Sequence, residues 1–491
     1  MLRRTRVGRG LRRLSGSRHW VPVVFVFVAL TAVLGHRGVG DAEVLYGFTA
    51  YPYDATFEAV DRVHEIILPN SNLYAIHGID AEGCLPWEEM LAGLPLPDSI
   101  QSNWADVKAR IPSTHAVYLA VTATDMDRRY VISACGADGR RDPSAGPWRD
   151  RLDHPDVLQA YATYVRRLVA FFQPRYLNIG IEMSELSLGH PEEWPSFEAL
   201  FTHVYDTVKA EYPAVQIAME LVLQSLLLPR VAEQVRSLVD RSDYLCLSFY
   251  PYGSPWGVWY GAPPLPEGDD QWRQPLTWVR QYTTKPIAIC ETGYTSAPVN
   301  FPELSLTLDG DTTRQTAFLR DLVAFATQDQ YAFVVWFVPV DYDRLYAGLP
   351  TDYDWLRIWM WTGLFDKDLN PKPAWSIWQA TLGDTVAPAT TIVAGPTGTV
   401  PLNSASFTWT GSDDRTPAGS LVYAFRLYPL ERRFSAFGRA TRRSYAGLPN
   451  GRTYTFYVKA RDLAGREDQT PAARRFTVSV PTTTVRAGTD R

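Results

Sequence analysis

Apolar positions in this chain follow two alternating rhythms. Short, nearly continuous apolar runs fall at Leu45–Thr49, Leu73–His77, Ala116–Val121, Arg175–Glu182, Gln216–Glu220, Tyr244–Tyr250, Pro286–Glu291 and Ala332–Val338. Runs of this length, bounded by turn residues, predict strands buried on both faces. Between them, and after the last, apolar residues recur at helical spacing over Thr56–Ile67, Trp104–Arg110, Pro155–Phe172, Pro195–Tyr212, Leu228–Val239, Pro275–Tyr282, Thr312–Thr327 and Ala374–Thr381. Strand and helix alternating through residues 41–383 predict an α/β fold, a (β/α)8 TIM barrel.

Past Gly383 the rhythm changes. Residues 384–390, with Pro388, read as a linker, and short strands at Ser406–Thr410, Leu421–Leu427, Thr453–Ala460 and Arg475–Val480 follow without helices. Turns at Asp413-Asp414, Asn450-Gly451 and Ala464-Gly465 separate them, which predicts a small all-β sandwich domain over 391–480 with Tyr454 as its corner tyrosine. The polar tail 481–491 is expected to be disordered. At the other end, residues 1–40 place seven arginines before an apolar run from Trp20 to Gly35. That is the pattern of a signal peptide, and an uncleaved N-terminal membrane anchor reads the same way. Either places the remainder outside the cytoplasm, extracellular or at the cell surface.

Two strands end in a carboxylate. Ile287–Cys290 runs into Glu291, and Tyr176–Ile181 runs into Glu182, 291 − 182 = 109 residues earlier. Desolvating a carboxylate is costly, so a buried strand carries one at its tip where the tip opens into a polar site. In a parallel barrel that is the C-terminal mouth. At roughly 35 to 40 residues per strand–helix unit the two belong to a fourth and a seventh strand, facing one another across the mouth. Paired carboxylates of this kind cleave glycosidic bonds. The plainer reading is that each is half of a structural ion pair. The net charge of −5 argues against a nucleic-acid partner, and 16 Trp and 26 Tyr suit stacking on sugar rings. His77, Asp80, Glu82, Asp125, Glu220, Asp341 and Asp343 fall near mouth loops, with His77 and Asp341 the preferred substrate contacts. The eight histidines show no His-x-His or His-Glu-x-x-His spacing, so neither a catalytic metal nor a cofactor is expected, while a calcium among the loop aspartates stays open. Cys84 and Cys135 fall in mouth loops and form a candidate disulfide. Cys246 and Cys290 lie within strands and are read as buried thiols, Cys290 turned away from the lumen if Glu291 turns in.

At these residues the chain resembles the clan A glycoside hydrolases, and most of all the family 53 endo-β-1,4-galactanases. The likeness spans Val44 to Leu382. It is carried by Tyr46-Gly47-Phe48-Thr49, by Asp243-Tyr-Leu-Cys-Leu-Ser-Phe-Tyr-Pro-Tyr252, by Lys285-Pro-Ile-Ala-Ile-Cys-Glu-Thr-Gly-Tyr294, by Trp336 closing the eighth strand, and by Gly363 to Trp375. The resemblance implies a retaining hydrolase of a galactan-like polysaccharide. Glu291 would be the nucleophile, Glu182 the acid/base, Tyr250 a hydroxyl orienting Glu291 and Trp336 the floor beneath the sugar. One position departs: where the clan has Asn immediately before the acid/base, this chain has Ile181. That departure keeps open a non-catalytic surface protein that binds glycan or protein on a degenerate barrel. Gly411-Ser-Asp-Asp414 and Val458-Lys-Ala-Arg-Asp462 resemble bacterial Ig-like or fibronectin-type modules.

Overall fold

The computed structural model describes residues 44–481, apart from 79–82, 143, 253–264, 266–267, 269, 303–305 and 350–355. The N-terminal segment 1–40 and the tail beyond 481 lie outside the described residues. No helix among the described residues is long and apolar enough to cross a membrane.

The strands are β1 (Leu45–Phe48), β2 (Leu73–His77), β3 (Ala116–Ala120), β4 (Tyr176–Asn178), β5 (Gln216–Ala218), β6 (Glu220–Val222), β7 (Leu245–Phe249), β8 (Ile287–Thr292), a hairpin of β9 (Val299–Phe301) with β10 (Leu306–Leu308), and β11 (Phe333–Trp336). They pair in parallel in the orders β2-β3-β4-β5 and β1-β11-β8-β7-β6. Only Met219 separates β5 from β6. At the other seam Asn72 N donates to Tyr46 O at 3.0 Å and Thr49 bridges to Ala75. The result is a TIM-barrel-like α/β arrangement.

Period-2 alternation divides these strands between two cores. Leu73, Ala75, Tyr118, Ala120, Tyr176, Ala218, Tyr244, Ala288, Phe333 and Val335 form an inner cluster. Their neighbours Tyr74, Ile76, Leu119, Leu177, Ile289 and Val334 pack outward with the helices. The helix Pro155–Phe172 contributes Val157, Tyr161, Val165 and Leu168 to that outer layer at i, i+4, i+8 and i+11. The last helix, Trp375–Thr381, closes on the first strand. Trp378 is buried, its ring centroid 4.3 Å from Phe48, and its indole N–H donates to Asn70 O at 2.8 Å.

Several elements differ from the sequence expectation. The helix expected from Trp104 begins at Asp98, because its first turns face solvent and bury nothing before Trp104. Arg175–Glu182 is strand only over Tyr176–Asn178, and Gln216–Glu220 is split between β5 and β6. The helix expected over Leu228–Val239 is two, Pro229–Gln234 and Arg236–Arg241.

Beyond Asp384 come β12 (Ala389–Ala394), β13 (Gly398–Val400), β14 (Ala405–Ser412), β15 (Val422–Tyr428), β16 (Arg442–Tyr445), β17 (Thr453–Arg461) and β18 (Ala472–Val478). They form two sheets, β12-β14-β16 and β13-β18-β17-β15. Both contribute to one core, with Phe407 stacked on Phe456 at 4.1 Å between centroids. β14 alternates strictly between buried and exposed positions, as a strand with one wet face must. Tyr454 is buried and donates to Pro449 O at 3.4 Å. The Ala464-Gly465 turn seats against the helix Thr312–Gln328. A Cβ at Gly465, where φ is +79°, would lie 2.6 Å from Ala324 Cα, and Thr327 Oγ1 donates to Ala464 O at 2.7 Å.

Trp378 ties the last helix to the first strand through its ring and to the turn before β2 through a partly buried hydrogen bond. Trp378→Ala is expected to lower unfolding free energy by about 3–5 kcal/mol, as for other large aromatics deleted from cores. Urea denaturation of the two proteins measures the difference.

Candidate active site

Glu291 enters the lumen through an irregularity in β8. Leu247 of β7 pairs with Ile289, but Ser248 pairs with Glu291; on the other side Val334 pairs with Ile289 and Trp336 with Thr292. Against both neighbours β8 therefore carries one extra residue, the signature of a β-bulge. Strict alternation would send Cys290 and Glu291 to opposite faces. With the bulge, Cys290 joins the inner cluster beside Ala288 while Glu291 still opens into the mouth. This corrects the expectation that Cys290 faces away. Cys246 also belongs to the inner cluster, and its sulfur is bonded to that of Cys290, so the two are not free thiols. Cys84 and Cys135 form the other disulfide.

Glu182 arrives differently. β4 ends at Asn178, whose side-chain oxygen accepts from Gly180 N at 3.0 Å, and Gly180 is pressed against Phe197 so closely that a Cβ would lie 2.7 Å from its ring. Glu182 itself has φ +53°, in the left-handed region. A non-glycine residue there costs on the order of 1 kcal/mol, and such strain concentrates at functional positions. The turn delivers Glu182 to the mouth just before the helix Ser184–Gly189.

Both carboxylates line one open cleft of about 850 Å³, together with His77, Arg128, Phe337 and Trp359. Tyr250 OH donates to Glu291 Oε1 at 2.5 Å, and His77 Nδ1 lies 3.2 Å from Glu291 Oε2. Glu182 Oε1 accepts from Ser248 Oγ at 2.8 Å, and Glu182 Oε2 is 2.8 Å from Arg128 Nη2. Period-2 alternation explains why His77 and Phe337 line this cleft and Ser248 and Tyr250 the small cavity beside it: they continue the inward faces of β2, β7 and β11. Behind Glu182 lies a small cavity of about 20 Å³ bounded by Glu185, Gln224, Tyr250 and Trp359.

The site gathers more acid than cation. Burial pushes the Glu291 carboxyl up to about 8, and the charge of Glu182 pushes the same way against Tyr250 and Arg128. Burial also raises Glu185, which accepts from Ser225 Oγ, to about 7. Glu220 is fully buried and held well above the usual carboxylate range, by burial first and then by Glu291 and Glu182. Asn178 Nδ2 donates to its Oε2 at 2.8 Å, and Oε1 has no partner among the described residues. Burial lowers His77 to about 4. Its contact with Glu291 at neutral pH is thus a hydrogen bond rather than an ion pair.

Two expected contacts fall elsewhere. Trp336 is wholly buried on the outward face of β11, 6.0 Å from Phe318, with its indole N–H on Thr362 O at 2.9 Å; strand parity turns Phe337 inward instead. Asp341 is also buried, in a 2.7 Å ion pair with Lys372, and accepts from Gly363 N. It is a structural pair, not a cleft residue. Asp125 does line the cleft, while Asp80 and Glu82 lie outside the described residues. Arg128 and Trp359 were not anticipated, and Ser248 stood in the quoted Asp243 to Tyr252 motif with no role assigned to it. Ser248 carried a signal, standing two residues before Tyr250 on the same strand face. Ile181, the departure from the clan pattern, lines the cleft.

No family model and no curated protein matches this chain. Among solved structures it is similar to a β-glucuronidase of Bacteroides uniformis, at 11% identity and a TM-score of 0.41 over 89% of this chain and 46% of that one. It is also similar to a family 39 glycoside hydrolase of Bacteroides cellulosilyticus, at 12% identity and 0.43, over 81% and 79%. A third is the endo-β-1,4-mannanase of Thermotoga petrophila, at 9% and 0.39, over 90% and 99%. The chain thus spans about half the length of the glucuronidase. At these TM-scores the chemistry rests on the site itself.

Because the folded state holds Glu291 protonated up to about 8 while an unfolded chain releases that proton near 4.5, the group costs stability as pH climbs between those values. Glu291→Gln removes the ionisation and keeps an acceptor for Tyr250. The variant is expected to gain about 1–3 kcal/mol over wild type at pH 8.5 and little at pH 4.5. Chemical denaturation at the two pH values gives the comparison; equal differences at both would mean Glu291 titrates normally.

Proposed function

We propose that this chain is an exported retaining glycoside hydrolase acting on a polysaccharide, galactan-like by its resemblance to family 53. In this reading the strands close a (β/α)8 barrel, followed by an Ig-like or fibronectin-type β-sandwich that serves as a spacer, and residues 1–40 direct export to the cell surface or beyond. The observation that carries the reading is the convergence of Glu182 and Glu291, from distant parts of the chain, on one cleft. Its volume suits a bound sugar segment.

Glu291 attacks the anomeric carbon as the bond to the leaving oxygen breaks, and Glu182 gives that oxygen its proton. Glu182 then takes a proton from water, whose oxygen displaces Glu291 from the glycosyl carbon. Tyr250 OH holds Glu291 Oε1 in line and stabilises its charge. Phe337 and Trp359 offer apolar faces for the sugar, the part assigned from sequence to Trp336.

The electrostatics impose a condition. Without substrate, Glu182 has both oxygens occupied by Arg128 and Ser248, while the proton belongs to Glu291. The mechanism needs the reverse. A sugar hydroxyl entering beside Glu182 has to draw Arg128 away, so that the proton moves from Glu291 to Glu182. The same ion pair favours a second reading, in which Arg128 permanently blocks the acid and the cleft binds glycan without turnover.

Wild-type protein offered a panel of polysaccharides is expected to hydrolyse one of them with retention at the anomeric carbon, read by proton NMR of the first product. Glu291→Gln is expected to lose about 10³-fold or more in kcat while still binding that polysaccharide. A wild type that binds but never cleaves selects the second reading. Inverted product removes Glu291 as nucleophile.

A further inference from the structure

Three aspartates meet where the barrel-like part ends and the second begins. Asp384 follows the last helix by three residues, Asp413 stands in the turn after β14, and Asp462 follows β17 directly. Asp384 and Asp462 are 3% and 2% exposed. One carboxylate oxygen from each lies within 4.8 Å of the others.

Each residue divides its two oxygens in the same way. Asp384 Oδ1 accepts from Val386 N, Asp413 Oδ2 from Arg415 N and Thr416 N, and Asp462 Oδ1 from Arg466 N. These bonds fix the three loops. The second oxygens, Asp384 Oδ2, Asp413 Oδ1 and Asp462 Oδ2, are buried and accept from nothing among the described residues. Buried carboxylate oxygens are ordinarily hydrogen-bonded or bound to a metal. Arg466 is a neighbouring cation, but its Nε donates to the backbone oxygen of Asp384 at 2.8 Å and stays 3.9 Å from Asp384 Oδ1.

We propose that Asp384, Asp413 and Asp462 bind one Ca²⁺ that clamps the segment after the last barrel helix to two loops of the C-terminal sheets. Two oxygens on the same Ca²⁺, each at about 2.3–2.6 Å, stand no more than about 5 Å apart, which the observed spacing meets. The donor set is all oxygen, hard and anionic, and excludes the softer metals that seek His or Cys. The three carboxylates, the dication and Arg466 together are neutral. Mg²⁺ fits less well, since it keeps its water and demands a regular octahedron. The ion would substitute for a hydrophobic interface in holding 384–390, the segment read from sequence as a plain linker. It also gives a place to the loop-aspartate calcium that the sequence leaves open, without touching the cleft or the hydrolase reading.

The test uses the full chain, stripped with EDTA and titrated with CaCl₂ or MgCl₂. Ca²⁺ at about 5 mM, above the roughly 10⁻⁴–10⁻³ M range of extracellular calcium modules, is expected to raise Tm by a few degrees, and Mg²⁺ much less. Isothermal calorimetry is expected to find one Ca²⁺ per chain lost in both Asp413→Asn and Asp462→Asn. Asp413 is only half-buried, so its variant keeps the test readable if Asp462→Asn folds poorly. A wild type with neither thermal shift nor heat of binding overturns the proposal, and so does undiminished Ca²⁺ binding in Asp413→Asn.

Discussion

The single extra residue in β8 sets the terms for the rest of the site. Without it the inward positions of that strand would be Ala288, Cys290 and Thr292, and Glu291 would point into the helices. With it, Cys290 stays inward against Cys246, and Glu291 takes the next position in the mouth. The bulge is held on both sides, because β7 and β11 shift register at the same point. Bulges of this kind re-aim a side chain next to a site. The later inward positions of the neighbouring strands, Tyr250 and Phe337, then meet Glu291 rather than a backbone.

Once Glu291 is in the lumen, its energy depends on company. Glu182, Glu185, Glu220 and Glu291 share a region whose cation is Arg128. Four carboxylates so close together do not all ionise, and protons are retained on those that burial raises, Glu185, Glu220 and Glu291. Glu220, fully buried, is held well above the usual carboxylate range and accepts from Asn178. Asn178 in turn donates to Tyr118 OH at 3.2 Å, within the inner core. The acid at the mouth is therefore coupled through hydrogen bonds to the packing of the inner cluster. Loss of stability at high pH is the expected companion of such a site.

The strands and most helices were legible because each buries a continuous face, and apolar periodicity reports burial directly. The two glutamates were legible for the converse reason, as ionisable residues ending apolar runs. What failed did so where local rules were broken or long-range. No Gly or Pro marks the bulge at Cys290, so alternation misassigned it. Trp336 was chosen by resemblance against its own strand parity, since Phe333 and Val335 already pointed Phe337 inward. Asp341 looked like any mouth carboxylate, and its partner Lys372 comes 31 residues later in a loop. Arg128 stands in an irregular segment 54 residues before Glu182. No pattern in either stretch foretells that pair, which is a product of tertiary packing alone.

Arg128 is also where the two functional readings part physically. Its own backbone is in the left-handed region, at φ +59°, and its guanidinium reaches back to Asp125 O and Met126 O at 3.4 Å as well as to Glu182. Such weak, long contacts do not lock a side chain, whereas the 2.8 Å charge-assisted bond to Glu182 does. The guanidinium is thus held chiefly by the carboxylate it masks. Its Nε is buried and has no partner among the described residues, a cost that a rearrangement toward a new acceptor would relieve. A group anchored by one strong bond and carrying one unsatisfied donor is poised to move when a polar ligand arrives, and the hydrolase and binding readings differ in whether that movement occurs.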